Sequence, residues 1–452
     1  MPELNTGDTA WVLAATSMVL LMTPGLAFFY GGMTRAKSTL NMMMMSFITI
    51  AIVSVIWVIF GYSLAFGDSG SAYVGEFSLS GLGGAVNELT NNGGVYPIPL
   101  LAFAAFQLMF AVITPALISG ALADRTKFIA WAVFVTIWVT IVYFPVAHWV
   151  FDFGTKQADG TITGAGWLAA SGVEDFAGGT AVHINAGAAA LALVIVLGKR
   201  IGFRKDPMRP HNLPLVMIGA GLLWFGWFGF NAGSALGANG TAALALMNTQ
   251  VATAAALGGW LLVEKIRDGH PTSLGAASGA VAGLVAITPA CAFVAPWGAV
   301  VIGALAGIIC SLAVGLKYKL GYDDSLDVVG VHLVGGIVGC LLIGFLGTHT
   351  VNSLGLDGVL YGGGFTLLGK QAVGVVAVLA YSFIVAFILG IIIDKTIGFR
   401  ITRDAELEGI DVTEHLESAY DFEPRGGSSG GLASVLHGSS TTATLEKTEV
   451  SS

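Results

Sequence analysis

Charge is what this chain has least of. Only 11% of its 452 residues are Asp, Glu, Lys or Arg, against 55% hydrophobic, a balance that excludes an ordinary soluble domain. Cysteine is scarce as well. Cys291, Cys310 and Cys340 lie in apolar runs without paired spacing, which indicates neither a zinc site nor a disulfide framework. The opening residues, MPELNTGD, contain no Lys or Arg; a cleavable signal needs a basic start, so the first apolar run is expected to stay in the chain. The net charge of -8 comes largely from the tail and points to no class of partner.

Long apolar runs are what is abundant. Eleven come near or above the roughly 20 residues that cross a bilayer, too many for one anchor or one buried core. They run roughly over 9–29, 40–66, 100–122, 128–150, 176–197, 214–235, 241–263, 273–288, 299–316, 328–347 and 371–393. The eighth and ninth are short and rich in small residues. The fold class is therefore an all-α polytopic membrane protein of eleven transmembrane helices. An odd number sets the termini on opposite sides. Basic residues cluster in alternate connections: Arg35 and Lys37, Arg125 and Lys127, five from Lys199 to Arg209, Lys265 and Arg267, Lys317 and Lys319. Cytoplasmic loops carry that excess, which places the chain in the cell membrane with its N-terminus outside and C-terminus cytoplasmic.

Counting spans gives two groups of five with one left over. His183 lies in the fifth and His332 in the tenth, each eight residues after an aspartate, Asp175 and Asp324. Because five is odd, two such halves are inverted relative to each other, a plan that puts the functional site at the midplane between them. The transport domain is expected over 1–395, with repeats over about 9–198 and 214–348 and the eleventh helix over 371–393. Residues 396–423 are polar with mixed charge and read as a structured cytoplasmic extension, and the Gly/Ser/Thr-rich 424–452 as a disordered tail.

A histidine in a membrane span faces protein or a cavity and is a functional candidate; the bland alternative is a hydrogen bond between packed helices. Two matched histidines weigh against the bland one. Away from water an uncharged pair is expected, one N–H donating to the other ring's bare nitrogen. Such a pair offers polar edges to small polar molecules or protons but little to a bare metal cation. Asp175 and Asp324 sit where apolar helices begin, and an N-cap is the leading reading of both over direct ligand contact; Asp175 also lends negative potential to the outer mouth. Asp327 reads as local structure.

Aromatics come next. FAAFQLMF sets Phe106 and Phe110 on one helix face, and WFGWFGFNAGSA crowds Trp224, Trp227, Phe228, Phe230 and Ser234 together. Single membrane aromatics are packing residues by default, but glycines between these rings let helices approach closely or backbone line a cavity. Aromatic faces at an entrance hold a cation, worth on the order of 1–2 kcal/mol where partly desolvated. The run NMMMMSF resembles a metal ladder only superficially, since four consecutive methionines point all round a helix.

AFFYGGMTRAK, DFAGGTAVHINAG, GKRIGFRKDPMRPHNLPLVMIGAGLLWFGWFGFNAGSA, AGLVAITPAC and DVVGVHLVGGIVG closely resemble the ammonium transporter (Amt/Mep/Rh) family, bacterial Amt type, across essentially all spans and into EGIDVTEHLESAY of the tail. The resemblance implies a homotrimer of eleven-helix protomers, each with its own pore, no catalytic role and no cofactor or metal. It implies His183 and His332 as the twin pore histidines and Phe110 with Phe230 as a stacked gate. It further implies an outer ammonium-binding site of Phe110, Ser234, the neighbouring Trp227 and an aromatic ending the fourth span, with Asp175 organising that site and Asp324 as its inward counterpart. The family commonly has tryptophan where this chain has Phe151; Trp149 lies two residues earlier, about 200° round a helix, so Phe151 is the expected wall. Phenylalanine keeps the π face and loses the indole N–H. Ammonium, ammonia and methylammonium are the implied substrates, membrane lipid the surroundings, and a PII-type signalling protein a partner on the cytoplasmic face; nucleic acid is not expected. Two rivals stand beside this: an ammonium sensor signalling through the tail, and a membrane redox protein with the histidines as axial haem ligands.

Overall fold

A computed structural model describes residues 3–67, 71–92, 95–157 and 159–420. Each expected apolar run is met by a helix: α1 (Thr6–Met33), α2 (Ala36–Phe66), α3 (Leu100–Leu122), α4 (Phe128–Phe151), α5 (Gly179–Leu197), α6 (Leu213–Gly233), α7 (Gly240–Asp268), α8 (Ser273–Ile287), α9 (Pro296–Leu320), α10 (Val329–Leu346) and α11 (Thr366–Thr396). Ten are long and apolar enough to cross a membrane; α8, at 15 residues, is the short one. Its run is completed by buried turns from Thr288 to Val294.

Several helices outrun their apolar stretches, because a polar terminal turn still satisfies its own backbone. Asn239 starts α7 by accepting from the Ala242 N–H, and α7 continues through Lys265 and Arg267 to Gly269, which ends it at φ +88°. Among the ten long helices α3, α5 and α10 are the most deeply buried, and the short α8 is buried over most of its length. Around them α1 packs along α6 and α7 along α9, while α11 lies against α5. Two small antiparallel hairpins, β1 (Leu89–Asn91) with β2 (Val95–Pro99) and β3 (Thr155–Lys156) with β4 (Ile162–Thr163), decorate the end where the N-terminus lies. There the Asn5 N–H donates to Pro97.

The opposite end gathers the basic connections. Arg200 grips Asp323 through two nitrogens (2.8 and 2.9 Å) and Asp124 through a third (3.1 Å), and Arg125 reaches the Asp323 carbonyl and Ser325. These guanidiniums are buried, and burial lowers the pKa of Arg125 to about 10. Such charges are tolerated only because each is paired. The segment following α11 closes over this basic face. Asp411 accepts from Leu40 and Asn41, Glu414 from Phe128 and Glu406 from Ile201, three carboxylates seated on N–H groups, the first two at the starts of α2 and α4. Residues 424–452, read above as a disordered tail, lie outside the described residues.

Candidate functional site

The two histidines come from helices that open in the same way. Both α5 and α10 begin with a π-helical turn, Gly179–Ile184 and Val329–Leu333, and each turn carries its histidine. A π turn holds one residue more than an α turn and recurs at functional sites. Ahead of α5 the chain bends through Gly178 at φ +117°, a conformation that only glycine adopts without strain. That bend folds Asp175 back over the helix start, so eight residues do not become a straight helical rise. Asp175 is therefore not the boundary residue itself; its carboxylate fills the cap from outside, accepting from the N–H groups of Gly178, Gly179, Thr180 and Ala181 and from the Thr180 hydroxyl, at 2.5–3.2 Å. Asp324 does the same more sparingly, accepting from Val328 and Val329 at 3.1 and 2.8 Å.

Glycine four residues past each histidine lets the two helices cross. A β-carbon on Gly187 would lie 2.5 Å from the Leu333 nitrogen, and one on Gly336 would lie 2.9 Å from Ile184 Cγ1 and 3.3 Å from His183 Cβ. With the helices that close, His183 and His332 meet Nδ1 to Nδ1 at 3.3 Å, ring centroids 5.4 Å apart. One Nδ1 must carry the hydrogen and the other must be bare, so at least one ring is uncharged. His183 Nε2 is buried without a protein partner.

A column of rings rises from this pair toward the N-terminal end. Trp227 stacks on His183 at 5.3 Å and donates its indole N–H to Thr288 Oγ1 at 2.8 Å. Phe230 lies beside both and stacks on Phe110 at 4.0 Å with planes 21° apart. Above these two opens a cavity of about 580 Å³ whose walls include Phe110, Phe151, Ser234, Asp175 and Glu174. Phe151 presents its ring at 79° to Phe110, centroids 6.4 Å apart. The Ser234 hydroxyl donates to the Phe230 carbonyl at 2.9 Å, leaving its oxygen lone pairs to the cavity. On the far side of the pair a space of only about 10 Å³ touches His332, Tyr30 and Asp327.

Six of the candidates thus stand in one column, cavity wall then stacked rings then imidazoles: Phe110, Phe151, Ser234, Phe230, His183 and His332. Trp227 is placed differently from the rest of the expected outer set, since it flanks His183 below the stacked phenylalanines and does not wall the cavity. Trp149 turns away, with its N–H bound to the Tyr73 carbonyl and its ring against Trp167 and Tyr381. Asp327 has φ +66° and pairs with Lys317. Sequence reasoning passed over Glu174 and Lys370 on the cavity wall and Thr288 behind Trp227. Glu174 stands next to Asp175, and an acidic neighbour at a helix entrance was the available signal.

Burial raises the pKa of a carboxyl group ahead of each of the two helices. Burial pushes Glu174 up to about 7, against the Leu356 N–H and Lys370, which pull it down. Asp324, just ahead of α10, is pushed up by burial, with Lys317 opposing and Asp327 adding to the shift.

The model of the Ammonium Transporter Family matches residues 10–420. The chain belongs to the ammonium transporter family. It is 55% identical over 441 residues to an ammonium transporter of Mycobacterium tuberculosis, covering 93% of this chain and 92% of the relative. It is 46% identical to an ammonium transporter of Bacillus subtilis, covering 92% and 99%. Among solved structures, Mep2 of Candida albicans superposes with a TM-score of 0.80 at 33% identity, over 89% of this chain and 88% of that one. One titled Sensor Amt Protein does so at 0.81 and 29%, over 90% and 98%. This member of the family is a multi-pass membrane transporter of ammonium and not an enzyme. The haem reading falls with that assignment, and its geometry was unfavourable too: ring nitrogens at hydrogen-bonding distance leave no room for an iron between them.

Proposed function

We propose that ammonium docks in the cavity against Phe110, Phe151 and Ser234, loses its proton near the Phe110–Phe230 stack, and crosses as ammonia past His183 and His332. The observation that carries this reading is the imidazole pair, bonded nitrogen to nitrogen at 3.3 Å below a closed stack of rings. Moving a bare ion of ammonium size into such an interior costs on the order of 20 kcal/mol by idealised Born reasoning. Deprotonation removes that cost. Potassium has the same charge and similar size but no proton to give up, so chemistry supplies the selectivity. The aromatic walls hold the cation by their ring quadrupoles, and Ser234 offers it an oxygen lone pair. The N-terminal end with its cavity faces outside and the basic end faces the cytoplasm, following the distribution of Lys and Arg. Three copies assemble, each with its own route, and a PII-type protein docks on the basic face.

Labelled methylammonium uptake, measured with excess potassium in wild type and His183→Ala, tests the route. Uptake is expected to fall at least tenfold, about 1.4 kcal/mol; unchanged uptake removes the role of that ring. A second reading, a sensor acting through the tail, draws on the hold that Asp411, Glu414 and Glu406 keep on the basic face. Robust uptake by a chain ending at Gly398 counts against a purely sensory protein.

A further inference from the structure

Two adjacent carboxylates wall the cavity, and they differ in how much accepting capacity is already spent. Asp175 accepts five hydrogen bonds from the start of α5. Glu174 accepts one, Oε1 from the Leu356 N–H at 2.6 Å, and its Oε2 has no partner although the residue is only 6% exposed. The backbone around it is fixed, since the Gln371 carboxamide bonds both its N–H and its carbonyl at 2.7 Å. An orphaned carboxylate oxygen that cannot retreat is costly unless something donates to it. The Lys370 ammonium shares the wall: it lies 2.6 Å from where a β-carbon on Gly172 would stand, two residues ahead of Glu174.

We propose that Glu174, rather than Asp175, supplies the negative charge that gathers cations in this cavity, and that Lys370 sets how strongly it does so. The inference rests on the reading of the cavity as the recruitment site and names the group that does the recruiting. A single carboxylate in a concave, low-dielectric wall raises the local concentration of cations, and a neighbouring ammonium weakens that field. The charged and titratable groups on the walls around Glu174 are Asp175 beside it, Lys370 on α11 and Tyr96 across the cavity; Asp357, next in the chain to Leu356, is paired with His349 and is not among the wall residues. Since burial holds the Glu174 proton until about pH 7, the side chain is neutral below that range and anionic above it. Recruitment therefore strengthens as pH rises through about 7.

The test is methylammonium uptake, with KM and saturating rate separated, from about pH 6 to about pH 8.5. Methylammonium remains a cation throughout. Glutamine keeps an oxygen for the Leu356 N–H, so Glu174→Gln leaves the loop tied. In wild type KM is expected to fall with rising pH, and in Glu174→Gln to lie roughly five- to tenfold higher at the alkaline end and to lose its pH step. Lys370→Met is expected to move the step to higher pH and to lower KM beyond it, a change that a structural role of Glu174 does not produce and that stands even if the glutamine variant fails to reach the membrane. Wild-type KM in Glu174→Gln at every pH, or a loss confined to the saturating rate, overturns the inference. Phe151→Ala run alongside separates the two claims: if it raises KM and Glu174→Gln does not, Glu174 alone falls, and if neither does, the recruitment reading falls with it.

Discussion

The entrances to α5 and α10 follow one backbone plan and live in different surroundings. Each has an aspartate cap, a π turn, a histidine and a glycine that lets the other helix in. The first cap is saturated, with five donors on Asp175, and adjoins a cavity of about 580 Å³ walled by rings. The second takes two donors, sits among Asp327 and Lys317, and meets only about 10 Å³ at His332, with a cavity of about 580 Å³ beyond it lined by charged groups, Arg200, Lys317 and Asp327 among them. Symmetry of the backbone thus delivers two imidazoles to one depth, while the side chains around each entrance line one with aromatic rings and the other with charged groups. Repeated folds give matched positions, and packing decides what each position does.

That comparison breaks or sharpens in three ways. The largest effect is expected at the caps. Asp175→Asn leaves at least two buried N–H groups without an acceptor and costs about 4 kcal/mol, against about 1 kcal/mol for Asp324→Asn, read as unfolding midpoints in detergent. Equal losses sink the claim that the two caps are unequal. Next comes the crossing. Gly187→Ala drives a methyl group deep into backbone, the Leu333 nitrogen at 2.5 Å, whereas Gly336→Ala meets the movable Ile184 side chain at 2.9 Å and the Gly179 carbonyl oxygen only at 3.0 Å. Overpacking costs of about 3 and about 1 kcal/mol are expected, and a reversed order shows that the helices yield differently from the way they pack. The smallest effect lies in the cavity. Phe151→Trp adds stacking area and an indole N–H beside Phe110 and is expected to lower the methylammonium KM by about fivefold, ~1 kcal/mol. A KM that rises instead shows that the wall has no space for the larger ring.

Much of this was legible from residues alone, for physical reasons. A bilayer demands long apolar helices, so the spans show in composition; the shared offset from Asp175 to His183 and from Asp324 to His332 shows the repeat. Depth along α6 did not show. Trp227, Phe230 and Ser234 share a helix face by spacing, yet seven residues of rise, ~10 Å, separate Trp227 from Ser234. Only the tertiary placement of α6, held along α1 and against α7 and α8, sets the first beside His183 and the last on the cavity wall. The π turns left no mark in the sequence, since one extra residue in a turn does not alter the apolar pattern.

Glu174 marks the same boundary. Its position next to Asp175 is written in the chain, but which of two neighbouring carboxylates has lone pairs to spare depends on where a helix start and a distant loop place their N–H groups. The sequence by itself determined the membrane class, the number of helices, the pairing of the histidines and the family, because these follow from local composition and spacing. Tertiary structure alone decided the closed stack of Phe110 on Phe230, the nitrogen contact between the imidazoles and the unspent oxygen of Glu174, because each depends on two segments far apart in the chain arriving within a few ångströms.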